Sequence, residues 1–533
     1  MATIKGLRES DETYCNYPAR RKWLEKKGFS FPQRECSAFE EWTRGHSIKS
    51  ISLIFASGFL GNPASYFGHP LIKFNFKDER SPLDLLDTAI NYGAFTPPEI
   101  GAIPYAFYGI FGGFEAGFTS ADFFFHKNNY SELELRDLWE YELLLDDEQV
   151  AEVVNHVWEM QRAKIPYYFF SDNCAFRISE LLELVLDKQL ISKSVPYAIP
   201  ATLFHRIHEN GLVKNIKLLP SRQTRLREKV FSLKASEKSH LTLLTEDVNH
   251  LQDESFKKLS AKKRARILEA GLDYFSYRLI LDEDKEKLKL AKRAILKERF
   301  ALPPGRSRWQ TITQHPPHEA QRPVLTQWGY FYSEKFKSSG SFRFRPAFYD
   351  LISPDTGRPH FSALSAFDVE LNFNDERIWL NRFTLMSVET LNISKTGLYK
   401  DGGFAWRFRL GAEQVNLACN TCTVALFEAG VGKAWELTNN FTLFTMLDPR
   451  IQSEYKDHGH LSATPSLGLL LTLSENFRLH STGGKRFYLN KESISEDIFS
   501  VEGRLGSNRK WDIRMKYDQH VDRRYSVGFG YYW

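Results

Sequence analysis

From Trp328 to the last residue, apolar and polar side chains alternate with a period of two. Phe367, Val369, Leu371 and Phe373 are separated by Asp368, Glu370 and Asn372. Phe404, Trp406, Phe408 and Leu410 are separated by Ala405, Arg407 and Arg409. Trp511, Ile513, Met515 and Tyr517 alternate with Asp512, Arg514, Lys516 and Asp518, and Tyr525 to Trp533 carries the pattern to the end. Successive side chains of a strand point to opposite faces, so the pattern predicts strands with one apolar and one charged face. About ten to twelve such segments of about ten residues each follow one another, joined by turns such as KDGG, TNN and GSNRK. Between about residues 221 and 300 the spacing changes to three and four, among Lys, Arg and Glu, which predicts amphipathic helices with a solvated face. The proline-rich stretch ALPPGRSRWQTITQHPPHEAQRP then reads as a linker. Residues 1 to about 215 mix short apolar strands, glycine-rich turns and helices.

Two structures fit the period-two region. A soluble sandwich or barrel buries one face and wets the other, whereas an outer-membrane barrel turns its aromatic face to lipid and its charged face inward. Strand length, the aromatic character of the apolar face and the aromatic last strand all favour the membrane barrel. Composition agrees: 14% of the 533 residues are aromatic, with 42 Phe and 23 Tyr. No run approaches the roughly 18 apolar residues of a membrane helix. Hydrophobic residues at 42% and charged residues at 26% exclude wholesale disorder. A net charge of +5 over this length leaves no broad basic field for nucleic acid. The start, MATIKGLRESDETYCNYPARRKWL, lacks the apolar core of a secretory signal. Read literally, that indicates a cytoplasmic protein. The C-terminal half favours instead a chain that begins inside a longer, exported precursor.

The five cysteines are too few for a disulfide scaffold. Cys15 and Cys36 are close enough in sequence to pair in an oxidising compartment. Cys419 and Cys422 form a C-x-x-C with no second pair and no nearby His, which reads as a strand-end disulfide or two idle thiols rather than a metal site. Cys174 stands apart. It lies in IPYYFFSDNCAFRISELLELVLDKQL, where an aromatic strand (Tyr167 to Phe170) runs into a helix with Leu181, Leu182, Val185 and Leu186 on its apolar face. Ser171 or Asp172 is the natural N-cap, which places Cys174 in the first turn. Unpaired N–H groups at a helix start lower a thiol pKa and can hold an oxyanion. A histidine would serve as general base, and His69 follows a small-residue turn (Gly61, Asn62, Pro63, Ser65) where the chain re-enters a strand. The plainer alternative is an inert core cysteine and a structural histidine.

The stretches CNYPARRKWL, GNPASYFGHPLIKF, LLDTAINYGAF, YGIFGGFEAGF, YSELELRDLWEYELLL and YYFFSDNCAFRISELLE cover most of residues 14 to 190. They resemble the family of the N-terminal periplasmic domain of Lnb, a bacterial lipoprotein N-acyltransferase. The resemblance implies a permuted branch of the papain-like, NlpC-type thiol enzymes, in which the His-bearing strand precedes the Cys-bearing helix. It assigns Cys174 as nucleophile and His69 as base. It supplies no third, orienting residue; Asn91 and Ser65 are the polar candidates for supporting the imidazole, and Asn173 is a further supporting residue. Asp137 and Glu140 could position substrate, but a solvated or salt-bridged pair is the stronger reading. Gly112, Gly113 and Gly117 suggest a mobile or closely packed loop. Family members start with a signal peptide and further residues before the CNYPARRKWL-like stretch, so an N-terminally truncated domain is expected.

The expected fold class is therefore α+β, with a permuted papain-like (NlpC-type) domain over residues 1–215, a helical segment over 216–305 and an antiparallel β-barrel of about 10–12 strands over 325–533. The expected function is cysteine-dependent acyl transfer on lipid or lipoprotein through a thioester, in the periplasm and outer membrane of a Gram-negative bacterium. Alternatives are a papain-like peptidase or amidase acting on cell-wall peptide, and a non-catalytic outer-membrane binding module. The expected partners are a phospholipid or lipoprotein substrate and the outer membrane, without nucleic acid, cofactor or metal. Acyl donor, acceptor and oligomeric state are not written in the sequence.

Overall fold

A computed structural model describes residues 2–59, 66–77, 84–97, 99–195, 197–281, 284–311, 314–393, 396–398, 402–438, 440–489, 494–507 and 509–533. The turn residues Gly61, Asn62, Pro63 and Ser65, together with Lys400, Asp401, Asn439 and Asn508 of the strand connections, lie outside this set. The chain forms two compact units, residues 1–222 with 316–318, and residues 223–315 with 319–533.

The first unit mixes helices with one antiparallel sheet. Helices α1 (Ala2–Glu9), α2 (Asp11–Asn16), α3 (Pro18–Lys26) and α4 (Ser37–Trp42) precede strands β1 (Ile48–Ala56), β2 (His69–Phe76) and β3 (Thr88–Ala94). Then come α5 (Ala102–Phe111), β4 (Phe114–Asp122), α6 (Phe123–Lys127), β5 (Leu138–Leu143), α7 (Asp147–Met160), β6 (Ile165–Tyr167), α8 (Cys174–Glu183), α9 (Pro200–Glu209) and β7 (Val213–Leu219). The strand order is β6-β4-β3-β2-β1-β5-β7. A Cys15–Cys36 disulfide ties α2 to the segment before α4. One sheet face, with Leu53, Phe55, Ile72, Phe74, Ile90 and Tyr141, packs under α7, α8 and α9. The other buries Ile54, Ala56, Leu71, Ala89 and Leu138 against Phe123. Burial of both faces explains why Leu53 to Ala56 read as a continuous apolar run rather than an alternating one.

Residues 216–219, which the sequence pattern puts at the head of the helical segment, belong to β7, paired with β5. Val213, Ile216 and Leu218 of this strand pack against the sheet core. The helices begin at Arg222, as α10 (Arg222–Ser232), α11 (Ala235–Glu246), α12 (Glu254–Lys257), α13 (Ala261–Leu281) and α14 (Lys285–Phe300).

The remaining strands close into a barrel. They are β8 (Leu325–Ser333), β9 (Lys337–Arg345), β10 (Ala347–Tyr349), β11 (Ser362–Phe373), β12 (Ile378–Thr390), β13 (Ala405–Gln414), β14 (Thr423–Thr438), β15 (Phe441–Gln452), β16 (Leu461–Thr472), β17 (Phe477–Tyr488), β18 (Ser495–Ser507), β19 (Trp511–His520) and β20 (Asp522–Tyr532). β9 and β10 both pair with β11 and form one staggered strand interrupted at Pro346, so the wall has twelve strands. β20 pairs with β8 from Arg524↔Ser333 to Tyr532↔Leu325, which closes the sheet and brings both ends of the barrel chain to one rim. Cys419 and Cys422 are paired in the β13–β14 connection.

The alternation sorts the two faces as a membrane barrel requires. Met515, Tyr525, Val527, Phe529 and Tyr531 point outward and are exposed, while Asp512, Arg514, Asp522 and Arg524 point inward and are buried. Inside, Arg343 grips Asp368 at 2.9 and 2.7 Å, and Arg407 reaches Asp448 at 2.7 Å. Arg514 reaches Asp350 and Glu502 at 2.9 and 3.0 Å. Leu351, Leu391 and Ile393, from the connections after β10 and β12, pack on Phe444 and Met446 of the inner wall. A cavity of about 520 Å³ remains, lined by Arg343, Glu370, Arg382, Arg407, Glu428 and Arg514 among others. Val527 sits at the middle of β20 on the outer face, so Val527→Arg is expected to cost about 2–4 kcal/mol of membrane stability. Heat-modifiable migration after refolding into vesicles reads that loss.

Candidate active site

The loop from β6 to α8 is held by one side chain. Asn173 accepts the backbone N–H groups of Ala175 and Phe176 on Oδ1, at 3.0 and 3.3 Å, and so is the N-cap of α8. Its amide nitrogen donates to the carbonyls of Phe169 and Ala198, at 3.0 and 2.6 Å. Sequence pattern favours Ser171 or Asp172 for this role. Asp172 is instead engaged by Arg177 at 2.9 Å, and Ser171 donates to Asp172 at 3.0 Å. Cys174 is consequently the first helical residue, 3% exposed.

The thiol lies in a dry setting. Its sulfur is approached by its own N–H, that of Ala175 and the Tyr167 hydroxyl, all of which favour the thiolate. Burial outweighs them and pushes the thiol up to about 12. The helix start alone would lower it, so the expectation of an activated resting thiolate is corrected here: the resting group is a neutral thiol. The oxyanion role also shifts, because Asn173 already occupies the N–H groups of Ala175 and Phe176. Of the donors near the sulfur, the N–H of Cys174 and the hydroxyl of Tyr167 are the two that Asn173 does not occupy.

His69 opens β2, opposite Ala56 of β1. The preceding Gly68 has φ +81°, and a Cβ there would collide with the Phe55 ring and lie 3.0 Å from the Ala56 carbonyl oxygen. Gly68→Ala is therefore expected to cost about 1–3 kcal/mol from the backbone conformation alone, seen as a lower unfolding temperature. Asn91 of β3 places Oδ1 2.6 Å from His69 Nε2. An amide oxygen only accepts, so Nε2 carries the proton and Nδ1 keeps its lone pair. Burial pushes His69 down to about 4, against the Asn91 hydrogen bond, so the imidazole is neutral at physiological pH.

Arg136 and Tyr130 connect the two halves. Arg136 is buried and donates to the carbonyls of Ser57 and Ala56, at 2.6 and 3.0 Å, and to Glu134 at 2.9 Å. Its guanidinium lies over the Tyr130 ring, 4.7 Å from the centroid. The Tyr130 ring is 6.1 Å from that of His69. The charge of Arg136 acts on both His69 and Cys174, and Tyr130 senses the charge of Cys174. The structure thus joins His69 to Asn91, and Asn173 to the helix of Cys174, around a shared Tyr130–Arg136 pair. Ser65 lies outside the described residues.

Asp137 accepts the N–H of Ser221 at 2.7 Å, and Glu140 meets the buried Lys73 at 2.9 Å, so both are engaged within the fold. Gly112 and Gly113 are close-packed, a Cβ at Gly112 colliding with the Tyr168 ring. Tyr130, Arg136 and Tyr167 were not singled out from the sequence. Nothing in the local sequence marks Arg136, whose carbonyl acceptors lie 79 and 80 residues away.

Residues 38–209 match the family model described as the Lnb N-terminal periplasmic domain, a span that contains His69, Asn91, Asn173 and Cys174. Residues 219–310 and 314–533 match two further models, each described as a domain of unknown function. No curated protein matches the sequence. Among solved structures, the KdgM porin is similar with 9% identity over 39% of this chain and 99% of that chain, at a TM-score of 0.25. The NanC porin gives 9% identity over 39% and 100%, at 0.25. An outer-membrane channel from Pseudomonas putida F1 gives 11% identity over 43% and 99%, at 0.26.

Proposed function

We propose that this chain is a periplasmic thiol acyltransferase held at the outer membrane of a Gram-negative bacterium by its own barrel. The observation that carries the reading is that a helix-start cysteine and an Asn-oriented histidine both feel the charge of the buried Arg136, with Tyr130 near the histidine and sensing the charge of the cysteine. The family match over residues 38–209 supports it, and the resemblance noted in the sequence adds lipoprotein N-acylation as the class of reaction.

In this mechanism Cys174 Sγ attacks the carbonyl carbon of an acyl ester while its proton passes to His69 Nδ1. The resting pair is neutral, so proton transfer and attack are concerted rather than preceded by a thiolate–imidazolium pair. The oxyanion of the tetrahedral intermediate takes hydrogen bonds from the Cys174 N–H and the Tyr167 hydroxyl. Collapse breaks the ester C–O bond, and His69 returns its proton to the departing alkoxide, leaving a thioester on Cys174. An amine then attacks the thioester carbonyl, gives a proton through His69 to the departing sulfur, and leaves as the amide.

The test is intact mass of the full chain in detergent after incubation with phosphatidylethanolamine. A hydroxylamine-labile acyl adduct is expected, absent from Cys174→Ala. An unmodified chain whose Cys174 is nevertheless alkylated in a His69-dependent way would replace this reading with the peptidase or amidase. An inert Cys174 would leave the binding module.

A further inference from the structure

We infer that α5 docks the catalytic unit onto the phospholipid leaflet, its outer face immersed among headgroups and upper acyl chains. The helix sequence, AIPYAFYGIF, contains no charged residue. Phe107, Tyr108, Ile110 and Phe111 are 57%, 46%, 39% and 65% exposed. They form one cluster, with Phe107 4.8 Å from Phe111 and 6.0 Å from Tyr108 between ring centroids. Single exposed apolar residues are ordinary, but four adjoining ones on a ten-residue uncharged helix mark a surface that is covered in use.

The inner side of α5 is fixed to the nucleophile loop. The carbonyl of Gly109 accepts the N–H of Phe169 at 2.8 Å. A Cβ at Gly109 would collide with the Phe169 ring, and one at Gly112 with that of Tyr168. The helix is thus mounted on the segment that leads, five residues beyond Phe169, to Cys174. A second exposed pair, Phe124 and Phe125 on α6, lies at the other end of β4. The next residue, His126, stacks on Tyr130, which adjoins His69. Apolar elements therefore flank the site on both its Cys and its His side.

Lipid is the occupant that fits. The same chain carries a barrel with an outward belt of Tyr, Phe, Val and Met, and both ends of that barrel leave by one rim. Covalent linkage alone keeps the N-terminal unit at a membrane. Four side chains are far short of the roughly 800 Å² per partner of a stable protein interface, but suffice for an interfacial helix already tethered there. Aromatic side chains, Tyr included, are the preferred residues at headgroup depth. The substrate side of this inference rests on the acyl-transfer reading, whereas the docking itself does not.

The experiment places a bimane label at Phe107→Cys or Phe111→Cys in a Cys174→Ala background, with Trp23→Cys on α3 as the solvated control. The full chain is reconstituted into phosphatidylethanolamine–phosphatidylglycerol vesicles. Blue-shifted emission at 107 and 111, quenched by doxyl lipids and absent at 23, is the expected result. Emission at 107 and 111 as solvated as at 23 overturns the inference. So does shielding that doxyl lipids do not quench, which would mean a protein surface covers the helix. In the Cys174 parent, Phe107→Ser with Phe111→Ser is expected to slow acylation from vesicle phospholipid at least tenfold, and from a soluble short-chain thioester less than twofold. Equal slowing with both donors overturns it. If neither donor acylates Cys174, the acyl-transfer reading fails and the quenching result decides docking by itself.

Discussion

On the acyl-transfer reading proposed above, replacing His69 with alanine is expected to slow acylation of Cys174 by about 10²–10⁴-fold, the usual contribution of a positioned general base. The thiol is held protonated up to about 12, so almost none of it is nucleophilic at neutral pH unless a base removes the proton during attack. His69 is suited to that step because Asn91 accepts from Nε2 at 2.6 Å and keeps Nδ1 unprotonated. The pH dependence carries the sharper sign. An unperturbed imidazole would lose half its base form at 6.5, whereas His69 is displaced to about 4. The parent rate should stay level from pH 8 down to about 5 and fall only toward 4. The His69→Ala rate should climb with pH as the thiol itself ionises. Asn91→Ala should lie between, because the ring loses its orienting acceptor but keeps its lone pair. The same displacement lowers stability as pH falls from 6.5 to about 4, since the unfolded chain takes up the proton first. Stopped-time intact mass across pH measures the rates, and a parent profile that breaks near 6.5 would show that His69 is not the buried base described here.

The barrel was far more legible in sequence than the site. Lipid and lumen faces are separated by one residue along a strand, so Asp512, Arg514 and Lys516 against Ile513, Met515 and Tyr517 already state which side is which. The count was less legible: Pro346 splits one wall strand into β9 and β10, and only their common pairing with β11 shows that they are one. Within SDN, three consecutive residues can cap a helix. The choice of Asn173 was made by partners the local sequence does not show, Ala198 binding its amide and Arg177 drawing Asp172 away. The sign of the thiol shift was illegible for the same reason. A helix start is a local feature and burial is a tertiary one, and in this setting burial is the larger effect. Arg136 donates to carbonyls 79 and 80 residues away, contacts that no spacing rule anticipates.

Asp512→Ala is expected to destabilise the barrel by about 3–5 kcal/mol, the range for removing one partner of a buried ion pair. Asp512 is 0% exposed, and its Oδ2 accepts from Arg504 Nε at 2.9 Å, Arg514 Nε at 3.1 Å and the Tyr532 hydroxyl at 2.7 Å. Arg514 would still have Asp350 and Glu502. Arg504 would be left with the Glu475 carbonyl at 3.2 Å, a buried cation without its carboxylate. The position also matters for closure, since Tyr532 is the residue of β20 that meets Leu325 of β8 at the seam. Asp512→Asn keeps an acceptor and should lose less. Pairing Asp512→Ala with Arg504→Met should recover much of the loss, because removing both members of a buried pair costs far less than removing one. The urea concentration at which the folded, heat-modifiable band disappears in vesicles measures all three. Residues 1–222 form a compact unit of their own, so alkylation of Cys174 should persist when Asp512→Ala opens the barrel, while the chain's retention by membranes should fall with it. A variant that lost thiol reactivity together with the barrel would mean that the lumen network supports the N-terminal unit as well as its anchor.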